Sequence, residues 1–348
     1  MNQTIQQLRI AYLGVDLAKH VFHVCGMTRY GKVVLEKRFT RVRLERFAAQ
    51  LPPCRVGLEA CGSAHHWARL FRCQGHDARL IAPSFVKPFV KSNKNDARDA
   101  EAIAEAVSRP NMRFVPVRSE QSQAIQLQHR MRARIVNSRT RAITQLRSML
   151  AEFGVVIPLG ANQFRKRVPE ILEDGENGLL PAVRELLADG YAEVLGLDAR
   201  EAQYRARIEA HVASDERCRR LKTIPGIGDL CASALVAKFG SGESFRNGRE
   251  MAACVGLVPR QVSTGGKTKL GPISKRGDTN LRTLVVQGAQ AALRFAGNKD
   301  DSRSRWACGI QQRRHRHVAA VALANKNIRI AWALLQNGGT YREEVSMA

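Results

Sequence analysis

The chain has 348 residues, enough for two domains and a sizeable core, and 44% of them are hydrophobic, which excludes a disordered protein. Lys and Arg number 56 against 31 Asp and Glu, a formal net charge of +25. That excess calls for a polyanionic partner, and nucleic acid suits it better than an anionic membrane, because the cations are spread along the chain instead of gathering beside an apolar anchor.

Residues 1–9 are polar and the apolar stretch after them breaks at Asp16, so no secretory leader is expected. No uninterrupted apolar run reaches membrane-spanning length, and the expected location is the cytoplasm, with no membrane partner. Residues 10–15, 21–25 and 33–39 read as three strands, with a turn at Arg29-Tyr30-Gly31-Lys32 between the last two. Leu44, Phe47, Ala48 and Leu51 have helical spacing. A short strand over 55–60 carries Glu59, a helix follows over 65–73, and a strand over 79–82 is stopped by Pro83. A meander followed by alternating helix and strand predicts a ribonuclease H-like α/β domain over residues 1–115, with Asp16 on its first strand and Glu59 at the end of its fourth.

Asp96 and Asp99 open a helix-forming stretch that runs to the breaker Pro110, and their i, i+3 spacing puts both carboxylates on one face. Beside the central strands that face would complete a four-acid set, Asp16, Glu59, Asp96 and Asp99. Mg²⁺ (or Mn²⁺) is held by a few carboxylates and fills its shell with water and phosphate oxygen, so such a set inside a cationic protein points to phosphodiester chemistry. Glu101 and Glu105, on the same helix, are rival ligands. The eight cysteines are dispersed without a C-x-x-C pair and read as reduced thiols. Cys61, His65, His66 and Cys73 form the one zinc-like grouping, with the spacing of no common zinc site.

Residues 119–153 lack Gly and Pro and predict a long helix, and residues 179–212 its return partner, together a helical coiled-coil arm over 116–215. The intervening 154–178, with Pro158, Gly160, Pro169 and Gly175, reads as a loop-rich tip. Arg130, Arg132, Arg134, Arg139, Arg141 and Arg147 have few acidic counterparts and read as a phosphate-facing surface, a solvated face being the alternative.

A mainly α C-terminal domain is expected over 216–335, with a loose tail over 336–348. Its Ile224-Pro225-Gly226-Ile227-Gly228 matches the hairpin of a helix-hairpin-helix element, in which Gly226 and Gly228 let backbone N–H groups approach a phosphate. An ordinary glycine turn is the plainer reading. Farther on, Arg260, Ser263, Thr264, Lys267, Lys275 and Arg276 lie in a glycine-rich basic loop. A hydroxyl there could serve as a nucleophile with cations stabilising the developing charge, although a loop that only touches phosphate explains the spacing as well. Residues 281–295 and 318–335 read as apolar-periodic helices around a cationic stretch.

Five strings, Gly14-Val15-Asp16-Leu17-Ala18-Lys19, Gly57-Leu58-Glu59-Ala60, Asn95-Asp96-Ala97-Arg98-Asp99-Ala100, Ile224-Pro225-Gly226-Ile227-Gly228 and Gly256-Leu257-Val258-Pro259-Arg260, occur in this order over nearly the whole chain. In this the chain resembles the insertion-sequence transposases of family one-ten, especially its eleven-eleven subgroup, which are related to the Piv-type DNA invertases. The resemblance implies a RuvC-like domain whose DEDD metal site corresponds to Asp16, Glu59, Asp96 and Asp99, a coiled-coil arm, and a C-terminal transposase domain with a catalytic serine. It also implies a noncoding guide RNA that pairs with donor and target DNA, and a homo-oligomer, from dimer to tetramer, that joins the acids of one subunit to the serine of another. The family places its serine immediately before a glycine, where this chain has Thr264, with Ser263 one position earlier. Ser263 is preferred because a primary hydroxyl is less hindered; Thr264, or an impaired copy, are the alternatives. A metal-dependent nuclease akin to Holliday-junction resolvases, and a catalytically silent nucleic-acid-binding protein, are the competing functions.

Overall fold

The structure, a computed structural model, describes residues 9–91 and 96–342. They belong to two compact units, Met1–Ser119 and Glu120–Ala348. In the first, β1 (Tyr12–Asp16), β2 (Val21–Met27) and β3 (Val33–Thr40) form an antiparallel meander. Then come α1 (Arg41–Gln50), β4 (Arg55–Glu59), α2 (Ala64–Cys73), β5 (Asp77–Ile81), the single turn α3 (Pro83–Val86), α4 (Asp96–Ser108) and the short β6 (Phe114–Val115). The strands make a six-stranded sheet of order β3-β2-β1-β4-β5-β6, with β4 parallel to both β1 and β5.

Strand alternation decides which helix each strand residue meets. Leu13, Val15, Val56 and Leu58 point to the side covered by α1 and α2, where they pack with Leu44, Phe47, Trp67 and Phe71. Tyr12, Gly14 and Asp16 of β1, and Gly57 and Glu59 of β4, take the other side, the one α4 covers. Helix α4 comes unusually close to the sheet there. A Cβ on Gly14 would lie 2.1 Å from the Ala100 carbonyl oxygen and 2.4 Å from the Ala104 nitrogen, and one on Gly57 would lie 2.8 Å from Val107 Cβ. The two glycines thus let helix backbone rest on strand backbone. Gly14→Ala is expected to push α4 off the sheet at a cost of about 3 kcal/mol or more, since overpacking against backbone cannot relax by a rotamer change. Chemical denaturation of the variant checks this, and a loss within about 0.5 kcal/mol, ordinary for a surface change, would refute it.

In the second unit α5 (Glu120–Ala151) and α7 (Pro181–Ser214) form the expected long pair. The segment between them departs from the loop-rich expectation: α6 (Ala161–Glu173) occupies half of it and contains Pro169. Proline has no N–H for the carbonyl four residues back, and here that carbonyl, of Arg165, accepts from the Tyr191 hydroxyl at 3.3 Å. Phe164, Val168 and Ile171 of α6 pack with Leu146, Leu150 and Val194, so tertiary burial outweighs the local signal.

The arginine run also divides. Arg132 pairs with the buried Glu201 at 2.6 Å, Arg139 with Asp198 at 2.7 Å, and Arg147 donates to the Ile157 carbonyl at 2.7 Å. These three hold the arm together, which corrects the reading of all six as a phosphate-facing surface. Arg130, Arg134 and Arg141 are exposed, and their spacing places them on one face of α5.

The remaining elements are α8 (Glu216–Lys222), α9 (Asp229–Phe239), α10 (Gly248–Val255), β7 (Pro259–Thr264), β8 (Lys267–Ile273), α11 (Thr279–Arg294), α12 (Ser302–Arg313) and α13 (Arg316–Asn337). Ile208 and Val212 at the end of α7 share a core with Leu221, Leu235, Val285 and Ile328, so the foot of the arm is continuous with these helices. Helix α13 is long and apolar enough to cross a membrane, with a mean hydropathy of 1.3 over 18 residues, and it packs its Ala320, Leu323, Ala324 and Ile328 into that core. The cationic stretch before it is helical, α12 being capped by the buried Asp301. In the part of the tail that is described, the Tyr341 N–H donates to Thr223 Oγ1 at 2.8 Å. Residues 343–348 lie outside the described residues.

Candidate active site

Asp16 and Glu59 end the adjacent parallel strands β1 and β4, on the side that faces α4. Asp96 and Asp99 occupy the first turn of that helix, and Asn95 of the same string lies outside the described residues. One carboxylate oxygen each of Asp16, Asp96 and Asp99 lie within 4.8 Å of one another. Burial, then the charges of Asp99 and Asp96, push the Asp16 carboxyl up from its ordinary value, against an opposing pull from His23. Burial pushes Glu59 up as well, followed by Asp16 and Asp99, which places its carboxylate in the field of the other acids. The rivals go elsewhere: Glu105 pairs with Lys91 at 3.5 Å and with Arg109, and Glu101 with Lys91 at 3.9 Å.

A set made of oxygen donors suits a hard divalent cation and not a soft one. The histidine that sequence reasoning missed is His23, opposite Asp16 in the β1–β2 register, with Nε2 3.7 Å from an Asp96 oxygen. Its place on the strand after Asp16 was the available signal.

Repulsion among the acids carries a sign that can be measured. For an acid whose carboxyl titrates higher folded than unfolded, stability is lost as pH rises from the unfolded value through the folded one, and the deficit persists at neutral pH. Without metal, Asp99→Asn is therefore expected to melt above the parent protein at about pH 7.5, the gap closing as pH falls into the carboxylate range. Added Mg²⁺ or Mn²⁺ should raise the parent and not the variant. Thermal melts in chelator across pH check this, and a variant melting lower at the upper pH would sink it.

The basic segment at 259–273 is an ordered hairpin where a loop was expected. Gly265 and Gly266, at φ +56° and +74°, supply the two positive values a two-residue turn needs, and Ser263 pairs with Thr268 and Thr264 with Lys267. Cross-strand partners share a face and neighbours alternate. Ser263 therefore lies with Gln261, Thr268 and Leu270, whereas Thr264 lies with Val262, Lys267 and Lys269. Ser263 Oγ accepts from Gln261 Nε2 at 3.0 Å and shares a hydrogen bond with Thr268 Oγ1 at 3.1 Å, both neutral groups of the hairpin. Every residue from Pro259 to Pro272 is exposed.

Arg260 sits where the β7–β8 register shifts. Lys275, at φ +53°, and Arg276 form an exposed bend at the hairpin's foot, where the Arg276 carbonyl oxygen would lie 2.1 Å from a Cβ on Gly256. Arg282 Nη1 donates to the Lys275 carbonyl at 3.0 Å and holds the bend.

The two glycines at 226 and 228 differ. Gly226, at φ +92°, packs backbone to backbone on Gly288 of α11, a Cβ there lying 2.7 Å from the Gly288 carbonyl oxygen. Packing against α11 is thus one requirement for a glycine there. Gly228 is exposed, caps α9 and has open space around it. Arg303 and Asn327 both donate to the Pro225 carbonyl, at 2.5 and 3.1 Å, and fix the turn. Cys61, His65, His66 and Cys73 do not form a metal-ligating cluster among the described residues, where all eight cysteines are free thiols. The His65 Nδ1 accepts the Arg118 N–H at 3.2 Å.

Residues 13–155 match a DEDD-type IS110 family described as Transposase, and residues 218–307 match the family described as Transposase IS116/IS110/IS902. A probable family 20 transposase of Pseudomonas aeruginosa is 50% identical over 96% of this chain and 99% of its own length. The transposase for insertion sequence element IS1111A of Coxiella burnetii is 44% identical over 96% and 92%, and that for IS1328 of Yersinia enterocolitica 42% over 95% and 98%. Both units thus take part in the likeness, and the chain belongs to the IS110 family of insertion-sequence transposases, enzymes that cleave and rejoin DNA.

Proposed function

We propose that the chain is a site-specific recombinase that moves an insertion sequence by metal-dependent strand cleavage and exchange through a hydroxyl nucleophile of the β7–β8 hairpin. The carrying observation is the convergence of Asp16, Asp96 and Asp99, with Glu59 in their field, on the α4 side of the sheet. A 3-2-1-4-5 strand order with acids at the ends of the first and fourth strands supports a ribonuclease H-like, RuvC-like assignment. Asp16, Glu59, Asp96 and Asp99 would hold Mg²⁺ or Mn²⁺, which when bound supplies neutralising charge at the scissile phosphate.

Ser263 is the preferred nucleophile. Its Oγ forms a bond to phosphorus as the P–O3′ bond breaks; the Oγ proton is given up and the leaving 3′ oxygen takes one. The resulting 5′-phosphoseryl link keeps the bond energy needed for rejoining. The hydrogen-bond partners of Ser263 are neutral and the hairpin stands exposed, which supports completion of the site by a second copy of the chain bringing its own acids. The exposed Arg130, Arg134 and Arg141, the bend at Lys275 and Arg276, Arg260 and Lys267 on the hairpin, and the Gly228 turn read as a helix-hairpin-helix element are contacts for nucleic-acid backbone. A charge of +25 spread over both units is in keeping with a guide RNA beside the DNA.

The neutral hydrogen-bond partners of Ser263, Gln261 and Thr268, also favour a second reading, a nuclease in which the acids alone activate water. The two separate on one gel. Incubated with element-end DNA and Mg²⁺ and then denatured, the recombinase leaves protein covalently attached to a 5′ end, whereas the nuclease leaves cut DNA free of protein.

A further inference from the structure

Apart from the four-acid site, one other group of metal-ligating side chains converges among the described residues. A ring nitrogen of His211, a carboxylate oxygen of Asp215 and Sγ of Cys218 all lie within 4.8 Å of one another. The backbone arranges this. His211 is in the last turn of α7, Asp215 ends α7 and caps α8, and Cys218 is in the first turn of α8. A second observation points the same way: Nε2 of His211 is buried and has no hydrogen-bond partner among the described residues. We propose that His211, Asp215 and Cys218 form a binding site for a zinc-class divalent ion at the α7–α8 joint, with water as fourth ligand.

The donor set decides the ion. Imidazole, carboxylate and thiolate together suit borderline Zn²⁺, whereas the four acids of the first unit suit hard Mg²⁺ or Mn²⁺, so the sites select different metals. Zn–N and Zn–O bonds of about 2.0–2.2 Å and a Zn–S bond of about 2.3 Å ask these side chains to close by about 1 Å. Cys218 is fully buried, while His211 and Asp215 are half-buried, so an ion can enter from their side. The C-terminal end of α7 adds partial negative charge, and the N-terminal end of the short α8 an opposing positive one, so the ion is held by its ligands and not by the helix ends. Arg217 holds both oxygens of the Asp215 carboxylate, Oδ1 through its backbone N–H at 2.9 Å and Nε at 3.1 Å and Oδ2 through Nη2 at 2.7 Å, so the carboxylate is fixed and an ion would take a remaining lone pair. As the sulfur–metal bond forms, the Cys218 thiol proton passes to solvent. The ion pins the foot of the arm to α8, whose Cys218 and Leu221 lie in the same core as Ile208 and Val212.

The test uses the full chain, stripped with chelator and titrated with Co²⁺ alone, without nucleic acid. A thiolate-to-cobalt absorption band saturating at one equivalent is expected, and it should persist in Asp16→Asn, whose lost ligand belongs to the other site. Cys61→Ala should also keep it, Cys61 being a thiol that lies in the field of Glu59 and Asp16. Cys218→Ser should abolish the band, and His211→Gln, at a half-buried position that guards against a folding failure of the first variant, should weaken Zn²⁺ binding by about tenfold or more. No thiolate band in the parent protein, a band lost with Cys61→Ala, or unchanged Zn²⁺ affinity in His211→Gln would each overturn the site.

Discussion

Asp16→Asn is expected to lower DNA strand cleavage by more than roughly 100-fold, the upper end of what loss of a mere outer-shell partner of a metal ligand costs. The substitution keeps the shape of the side chain and removes one donor charge from the three oxygens that lie within 4.8 Å. Folding should not suffer, because burial and the charges of Asp99 and Asp96 already disfavour the ionised form of Asp16. The metal-free variant should melt at or above the parent temperature while its response to Mg²⁺ or Mn²⁺ falls away. Cleavage of labelled element-end DNA, read beside thermal melts, checks both halves. Cleavage within tenfold of the parent, in a protein that still folds, would falsify the metal-site assignment.

Ser263→Ala is expected to abolish the covalent protein–DNA adduct, and Thr264→Ala to leave it, after incubation with element-end DNA and a divalent ion. Both positions are exposed on the hairpin, so neither change should move stability beyond about 0.5 kcal/mol. The two hydroxyls lie on opposite faces, so they cannot substitute for each other without rotating the hairpin. Ser263 has its Oγ held by Gln261 and Thr268, and Thr264 has Lys267 and Lys269 beside it. An adduct that survives Ser263→Ala and is lost in Thr264→Ala would transfer the role to the threonine and its lysines. If both variants cut DNA and no protein is ever attached, the nuclease reading stands in place of the recombinase.

Several departures from the sequence reading share a cause. Pro169 signals a break, yet α6 continues through it because Tyr191, 22 residues on, supplies the missing donor and the helix is buried on its apolar side. Arg132, Arg139 and Arg147 look identical in the sequence to Arg130, Arg134 and Arg141, and only the return of α7 and the turn at Ile157 separate structural cations from free-facing ones. Gly226 and Gly228 sit two residues apart in one motif, and only the tertiary structure shows that the first has α11 packed against it and the second has open space.

The sequence by itself determined what depends on near neighbours: the meander, the alternating helices and strands, the long helix pair, the cationic character, and the type of residue at each candidate position. Periodicity and turn chemistry act over a few residues, so they are legible in the string. The four acids could be enumerated but not assembled from it, since 80 residues separate Asp16 from Asp96 and Glu101 and Glu105 compete on the same helix. Tertiary structure shows which of them converge. Gly14 and Gly57 lack the Cβ atoms that would hold α4 away, so the helix settles on β1 and β4 with its first turn at the strand ends, and that close approach brings Asp96 and Asp99 to the strand-end acids while Lys91 and Arg109 take the glutamates.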